Sequence, residues 1–319
     1  MSKKINLKQI QKLMRNKKKV PEKKVSYLLE TTSPDAIKYA KSLSDNLVSY
    51  NWKYYSELAQ QREKSIEKIK NSLIESSAKF EFNHWQRAVK WRYSNHPLCA
   101  MGSQTFVGQR FNFGDDINSM LSGFPALYFA CDKDTALQET LGQSSQNTLG
   151  LSAKEVALTN PQSESIVSVS GVLDSVIDLR TEKSLKKFVQ IISKFKISEE
   201  IKKLAKELGD EIGLVTTTKA LKETLLENEW HYRPVQYQVP ANSQIFGHLV
   251  YLAGIQGIVY PSKVTKKDCL VLFPLNFKNT ESFVKFDDHP PDDRMPTKID
   301  ASNFNLTMKT HKQIITNSN

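Results

Sequence analysis

Cysteine is scarce in this chain of 319 residues: Cys99, Cys131 and Cys269 are odd in number, widely spaced and form no CxxC pair. That pattern argues against a disulfide framework and a thiolate zinc site, and points to reduced thiols. No apolar run approaches the ~20 residues that a bilayer-spanning helix needs, so no membrane association is expected. There is no Walker A run, no GxGxxG and no HExxH, which removes the usual evidence for a nucleotide triphosphatase, a Rossmann dehydrogenase or a helical zinc protease. His84 and His96 lack partners at metal-ligand spacing, so no metal is expected. The basic start, MSKKINLKQIQKLMRNKKKVPEKK, has neither an apolar stretch nor a small-residue cleavage site behind it. No secretory signal is therefore expected, and the cytoplasm is the expected compartment.

What the chain does have is an ordinary globular balance, 39% hydrophobic and 25% charged, with enough length for about two units at roughly 150 residues each. Lysine and arginine exceed the acids by 45 to 34, for a net charge of +11. Such a field attracts polyanions, but the lysines are dispersed apart from Lys17, Lys18, Lys19, Lys23 and Lys24 in the N-terminal tail. A solvated basic tail is favoured over a nucleic-acid arm, because no helix-turn-helix pattern, zinc spacing or Gly-rich aromatic strand motif accompanies it. The same field would favour a small anionic substrate.

In chain order, Ser33 and Pro34 form a cap and first-turn pair, and the apolar positions from Ile37 to Leu47 and from Trp52 to Leu73 recur at helical spacing. These helices either pack on the rest of the chain or form an interface. Glu81 to Ser103 is dense in aromatics and reads as a structured wall. Within it Arg92 has the charge and reach for a phosphate, with a structural ion pair as the alternative. Glu155 to Asn160 and Ser165 to Leu179 alternate like strands, with a turn expected near Gly171. Leu185 to Ile192 repeats at helical spacing, Ser198 is expected to cap a helix that Gly209 ends, and a further helical patch surrounds Leu221 to Leu226. Ser243 is expected to cap a helix stopped by Gly254. GIVYP and CLVLFPL read as strands joined by the lysine-rich loop SKVTKKD, and the polar stretch after Pro290 reads as a weakly packed tail.

The unusual chemistry is concentrated between Ala100 and Gly142. Arg110 lies between Gly108 and Gly114 in loop-forming sequence. FPALYFA reads as a buried strand carrying Tyr128, and Asp134 or Thr135 is expected to cap a helix placing Glu139 in its second turn and Gly142 at its end. A guanidinium, a phenol and a carboxylate would then converge at one strand end. Ser262, after Pro261, adds a hydroxyl at another strand end, where a local backbone role competes with ligand binding. Taken singly, each of these residues has an ordinary structural role available.

Together, GQRFN, ALYFA, TALQE and GIQGIVYPS, with HPL before GS and PANSQIFG, resemble the RES domain family over about Arg92 to Phe277. Its members are mostly toxins of bacterial toxin–antitoxin pairs. The resemblance implies that Arg110, Tyr128, Glu139 and Ser262 fall on active-site positions, with Arg110 and Tyr128 as catalytic and substrate-binding residues, Glu139 as catalytic and Ser262 as a substrate contact; Arg92 is added as a substrate contact on its charge and reach, not on the resemblance. It departs at Gln109, where a glycine is usual, and in a longer segment between Arg110 and Tyr128. It implies degradation of NAD, as substrate and not as a recycled cofactor, on an α+β fold with a mainly antiparallel β core similar to ADP-ribosyltransferases. Inorganic phosphate is an implied co-substrate, and hydrolysis or ADP-ribosyl transfer are alternatives. A cognate antitoxin and a homodimer are implied partners. The expected organisation is a basic tail and helical region over 1–80, a catalytic domain over 81–290 and a polar tail over 291–319.

Overall fold

A computed structural model describes residues 34–117, 121–141, 164–210, 212–290 and 292–316. The expected strand at Glu155 to Asn160 and the helix stop at Gly142 lie outside those residues. In chain order the elements are α1 (Pro34–Lys64), α2 (Ile66–Ile74), β1 (Ala78–Lys90), β2 (Gly108–Gln109), β3 (Asn112–Phe113), β4 (Leu127–Ala130), α3 (Lys133–Leu141) and β5 (Glu164–Asp178). There follow α4 (Lys186–Ile192), α5 (Glu199–Leu208), α6 (Thr218–Leu225), α7 (Tyr232–Tyr237), α8 (Asn242–Leu252), β6 (Gly257–Pro261), β7 (Asp268–Leu272), β8 (Phe283–Phe286), β9 (Lys298–Ile299) and α9 (His311–Thr316).

The architecture is α+β. Seven strands pair in the order β1-β4-β7-β6-β5-β8-β9, and a further pairing of β1 with β5 closes β1, β4, β7, β6 and β5 into a ring. The pairings are antiparallel except β5 with β6. Period-two alternation divides the side chains between two cores. Leu127, Phe129, Val259, Leu270 and Leu272 join Phe82, Trp85, Val169 and Leu173 in one cluster, to which β8 and β9 add Val284 and Ile299. Ala130, Ile258, Tyr260, Cys269, Val271 and Phe273 face the other cluster, covered by Ile69 and Leu73 of α2, Phe188 and Val189 of α4, Leu221 and Leu225 of α6, and Phe246, Leu249 and Val250 of α8. Burial on both faces explains why β4, β6 and β7 read as unbroken apolar runs.

The backbone divides into two units, Met1–Gln60 with Lys196–Leu214, and Gln61–Phe195 with Val215–Asn319. In the described part of the first, Ser198 caps α5 by accepting from the Ile201 N–H, and Gly209 ends it in the left-handed region at φ 74°. Tyr50, Ile201 and Ala205 form its core, and the Tyr50 hydroxyl donates to Asp210 at 2.9 Å.

Three expectations are corrected. Residues 164–178 form one continuous strand with no turn at Gly171, whose residue pairs with both Phe82 and Val284. A Cβ there would stand 2.5 Å from the Phe283 carbonyl oxygen and 2.7 Å from the Phe82 ring, so this glycine serves close approach between neighbours. On the N-terminal side of the expected boundary at residue 80, α2 supplies Ile69 and Leu73 to the large core. Residues 292–316 are not a weakly packed tail: β9 extends the sheet, Ile299 is fully buried, and His96 donates its Nε2–H to the Leu306 carbonyl at 3.0 Å. Ser243 does not cap α8. Ala241 holds that position and Ser243 lies one residue inside the helix, its buried hydroxyl without a partner among the described residues.

Candidate active site

Arg110 sits on a hairpin. β2 and β3 pair Gly108 with Phe113 and Gln109 with Asn112, leaving Arg110 and Phe111 as a two-residue turn. Gly108, at φ 85°, lets the chain enter with its Cα close to the Asn112 carbonyl. The Arg110 guanidinium donates from Nη1 to the Glu227 carbonyl at 2.6 Å.

Tyr128 projects from β4 beneath this turn. Its hydroxyl accepts from the Phe111 N–H at 3.0 Å and donates to Asn112 Oδ1 at 2.8 Å. The Asn112 amide in turn donates to the carbonyls of Ser103, Phe113 and Phe124. Burial, more than any charge, pushes the Tyr128 phenol well above the ordinary tyrosine range. Behind it, Arg87 donates to the carbonyls of Pro97 at 2.8 Å, Tyr128 at 3.1 Å and Cys99 at 3.3 Å. Burial lowers this guanidinium to about 10.

Glu139 and Ser262 meet directly. The helix carrying Glu139 begins at Lys133, and its cap is Asp132, whose Oδ1 accepts from the Thr135 N–H at 2.9 Å, which corrects the expected cap at Asp134 or Thr135. The helix is tied to the β6–β7 loop at three points: Asp132 pairs with Lys267 at 2.9 Å, Thr135 hydrogen-bonds Thr265 at 3.0 Å, and the Ser262 hydroxyl donates to Glu139 Oε1 at 2.5 Å. Ser262 is almost fully buried and accepts from the N–H groups of Val264 at 3.1 Å and Thr265 at 3.0 Å. Those two donors fix the oxygen so that its proton points at the carboxylate.

Tyr260 joins the two halves. Its ring packs edge-on against Phe111 at 4.9 Å. Its phenol is pushed up first by burial and then by Cys269, Glu139 and Tyr128, while Arg110 opposes the rise. Arg110, Tyr128 and Glu139 are therefore all within electrostatic reach of one side chain. Arg92 stands apart. Its guanidinium lies 4.8 Å from the Tyr93 ring centroid, and no interaction among the described residues links it to the other four.

Three participants escaped the sequence reading. Asn112 is inside GQRFN, and Gln244, whose buried amide donates to the Val107 carbonyl at 2.7 Å, is inside PANSQIFG, so the motifs contained them, but a buried amide bonded to backbone has no periodic signature. Arg87 sat in an aromatic segment that gave no sign of a strand.

The mainly antiparallel α+β body thus carries the guanidinium of Arg110 on a hairpin turn, the carboxylate of Glu139 on a helix and the hydroxyl of Ser262 in the loop between two strands. A family model described as RES domain matches residues 84–294, and the chain belongs to that family. Among solved structures it is similar to a chain in the crystal structure of the M. tuberculosis MbcT–MbcA toxin–antitoxin complex, at 13% identity and a TM-score of 0.39, over 77% of this chain and 98% of that one. No curated protein matches it.

Proposed function

We propose that this chain is an NAD-degrading, toxin-type enzyme that breaks the bond between nicotinamide and ribose, with inorganic phosphate as the nucleophile, on a body of ADP-ribosyltransferase type. The activity is assigned to the unit Gln61–Phe195 with Val215–Asn319. The observation that carries the reading is the Ser262–Glu139 hydrogen bond beside the Tyr128-braced Arg110 turn, with Tyr260 in reach of both. Membership of the RES family supports it.

In the reaction a phosphate oxygen attacks C1′ of the nicotinamide ribose, and the bonding pair of the C1′–N bond passes to the pyridinium nitrogen. Nicotinamide leaves neutral, so no general acid is required. That suits a site whose phenol is held protonated by burial. The ribose develops oxocarbenium character, which a carboxylate such as Glu139 stabilises. Ser262 orients that carboxylate. Arg110 has a planar fork for phosphate oxygens of the dinucleotide or of the attacking phosphate. The substrate displaces the Glu227 carbonyl from its Nη1. Arg92, from its separate position, is retained as an outer substrate contact. The expected setting is the bacterial cytoplasm, with a cognate antitoxin and a second copy of the chain as partners.

Purified protein incubated with NAD and phosphate, with products read by mass, is expected to yield nicotinamide and ADP-ribose phosphate. Arg110→Ala and Glu139→Ala are each expected to lower kcat/KM by about 10²–10³. Intact NAD after long incubation overturns the reading. ADP-ribose formed independently of phosphate replaces phosphorolysis with hydrolysis, and adenylate label on an acceptor replaces it with ADP-ribosyl transfer.

A further inference from the structure

We infer that Gln244 is a positioning residue for Arg110, holding the turn that carries this guanidinium. The inference rests on the functional reading above. The β2–β3 hairpin cannot fix its own turn. Its strands are two residues long, and two-residue turns that match strand twist place at least one central residue at positive φ. Neither Arg110 nor Phe111 is in that region. The turn must be held from outside.

Gln244 does this from the first turn of α8. Its side chain is fully buried, and its amide nitrogen lies 2.7 Å from the Val107 carbonyl oxygen, 3.1 Å from that of Gln109 and 3.2 Å from that of Asn112. Two N–H groups thus serve three carbonyls, which include both members of the pair that closes the turn. The amide oxygen is fixed in turn by the Ala241 N–H at 3.1 Å. Tyr128 and Asn112 hold the side of the turn facing the sheet, and Gln244 holds the side facing α8. One carboxamide is therefore coupled, through backbone alone, to the residue proposed to grip phosphate.

Gln244→Met keeps the volume and removes the donors. In the full chain its kcat/KM for NAD is expected to fall about ten- to a hundredfold, the effect of a misplacement near 1 Å. In an Arg110→Ala background the same change is expected to add less than about twofold, because its effect passes through the missing side chain. Losses that multiply instead would show a general structural role and overturn the assignment. Amide hydrogen exchange gives a readout independent of turnover: residues 107–113 are expected to exchange faster in Gln244→Met, with β6 and β7 unchanged. Unchanged exchange in 107–113 overturns the assignment, whereas a wild-type chain that leaves NAD intact overturns the functional reading. If Gln244→Met does not fold, Gln244→Asn, which keeps the amide one methylene short, is taken through the same cycle.

Discussion

Tyr128 uses its hydroxyl in two directions, accepting from Phe111 N–H and donating to Asn112, and both partners belong to the turn that carries Arg110. Removing the oxygen leaves a buried donor and a buried acceptor unmatched. Tyr128→Phe is therefore expected to cost about 1–3 kcal/mol of stability, read as a lower denaturant midpoint, and to reduce NAD turnover through the shifted guanidinium. The shape of the pH–rate profile below pH 10 is expected to stay the same, because the phenol is neutral throughout. A changed profile would show the phenol exchanging a proton with substrate. At this scale the sequence was informative about identity and less so about direction. Arg110, Tyr128, Glu139 and Ser262 each stood out in a motif, yet Ser262 directs its proton to Glu139 and Tyr128 directs its to Asn112. Neither orientation follows from the order of residues, since each depends on partners remote in the chain.

Helix α8 and the Arg110 hairpin approach each other through Gly247, which is packed against the Phe111 backbone. A Cβ at that position would lie 2.0 Å from the Phe111 carbonyl oxygen, and backbone cannot yield as a flexible side chain can. Gly247→Ala is expected to cost about 1–3 kcal/mol by chemical denaturation and to lower turnover along with stability. A variant with wild-type midpoint would mean that helix and hairpin separate freely. Among the elements, β4, β6 and β7 were legible because they are short, apolar and covered on both faces. The strand β1 was not. Its pairing with β5 shifts register between Phe82 and Trp85, where His84 takes φ 56°, and the shift breaks the alternation that marks a strand. The last strand, β9, is two residues long, too short for any period to show, and only its pairing to β8 makes Ile299 a core residue.

Two histidines report on the integrity of the second unit, because below about pH 6.5 each stays neutral only while its surroundings are folded. His96 is lowered to about 4, first by burial, while its bond to the Leu306 carbonyl works against the shift. His248 is also lowered to about 4, again first by burial, with Arg62 adding to it; its ring packs 4.8 Å from Phe113 and 5.4 Å from Phe124. In an unfolded chain both would titrate near 6.5. Between roughly pH 6.5 and 4 the unfolded chain therefore binds protons that the folded chain refuses. Their contribution is complete above pH 6.5 and is lost as pH falls through that window. The paired carboxylates Asp132, Asp287 and Asp300 are held below the ordinary value of 3.8, so the stability they confer is lost only at still lower pH. The two sets are thus separable. Denaturant midpoints of the wild type are expected to decline from pH 6.5 to 4.5, and His248→Phe, which keeps an aromatic ring between the two phenylalanines, is expected to flatten part of that decline. Parallel curves for variant and wild type would show that His248 takes up its proton without unfolding the body around it.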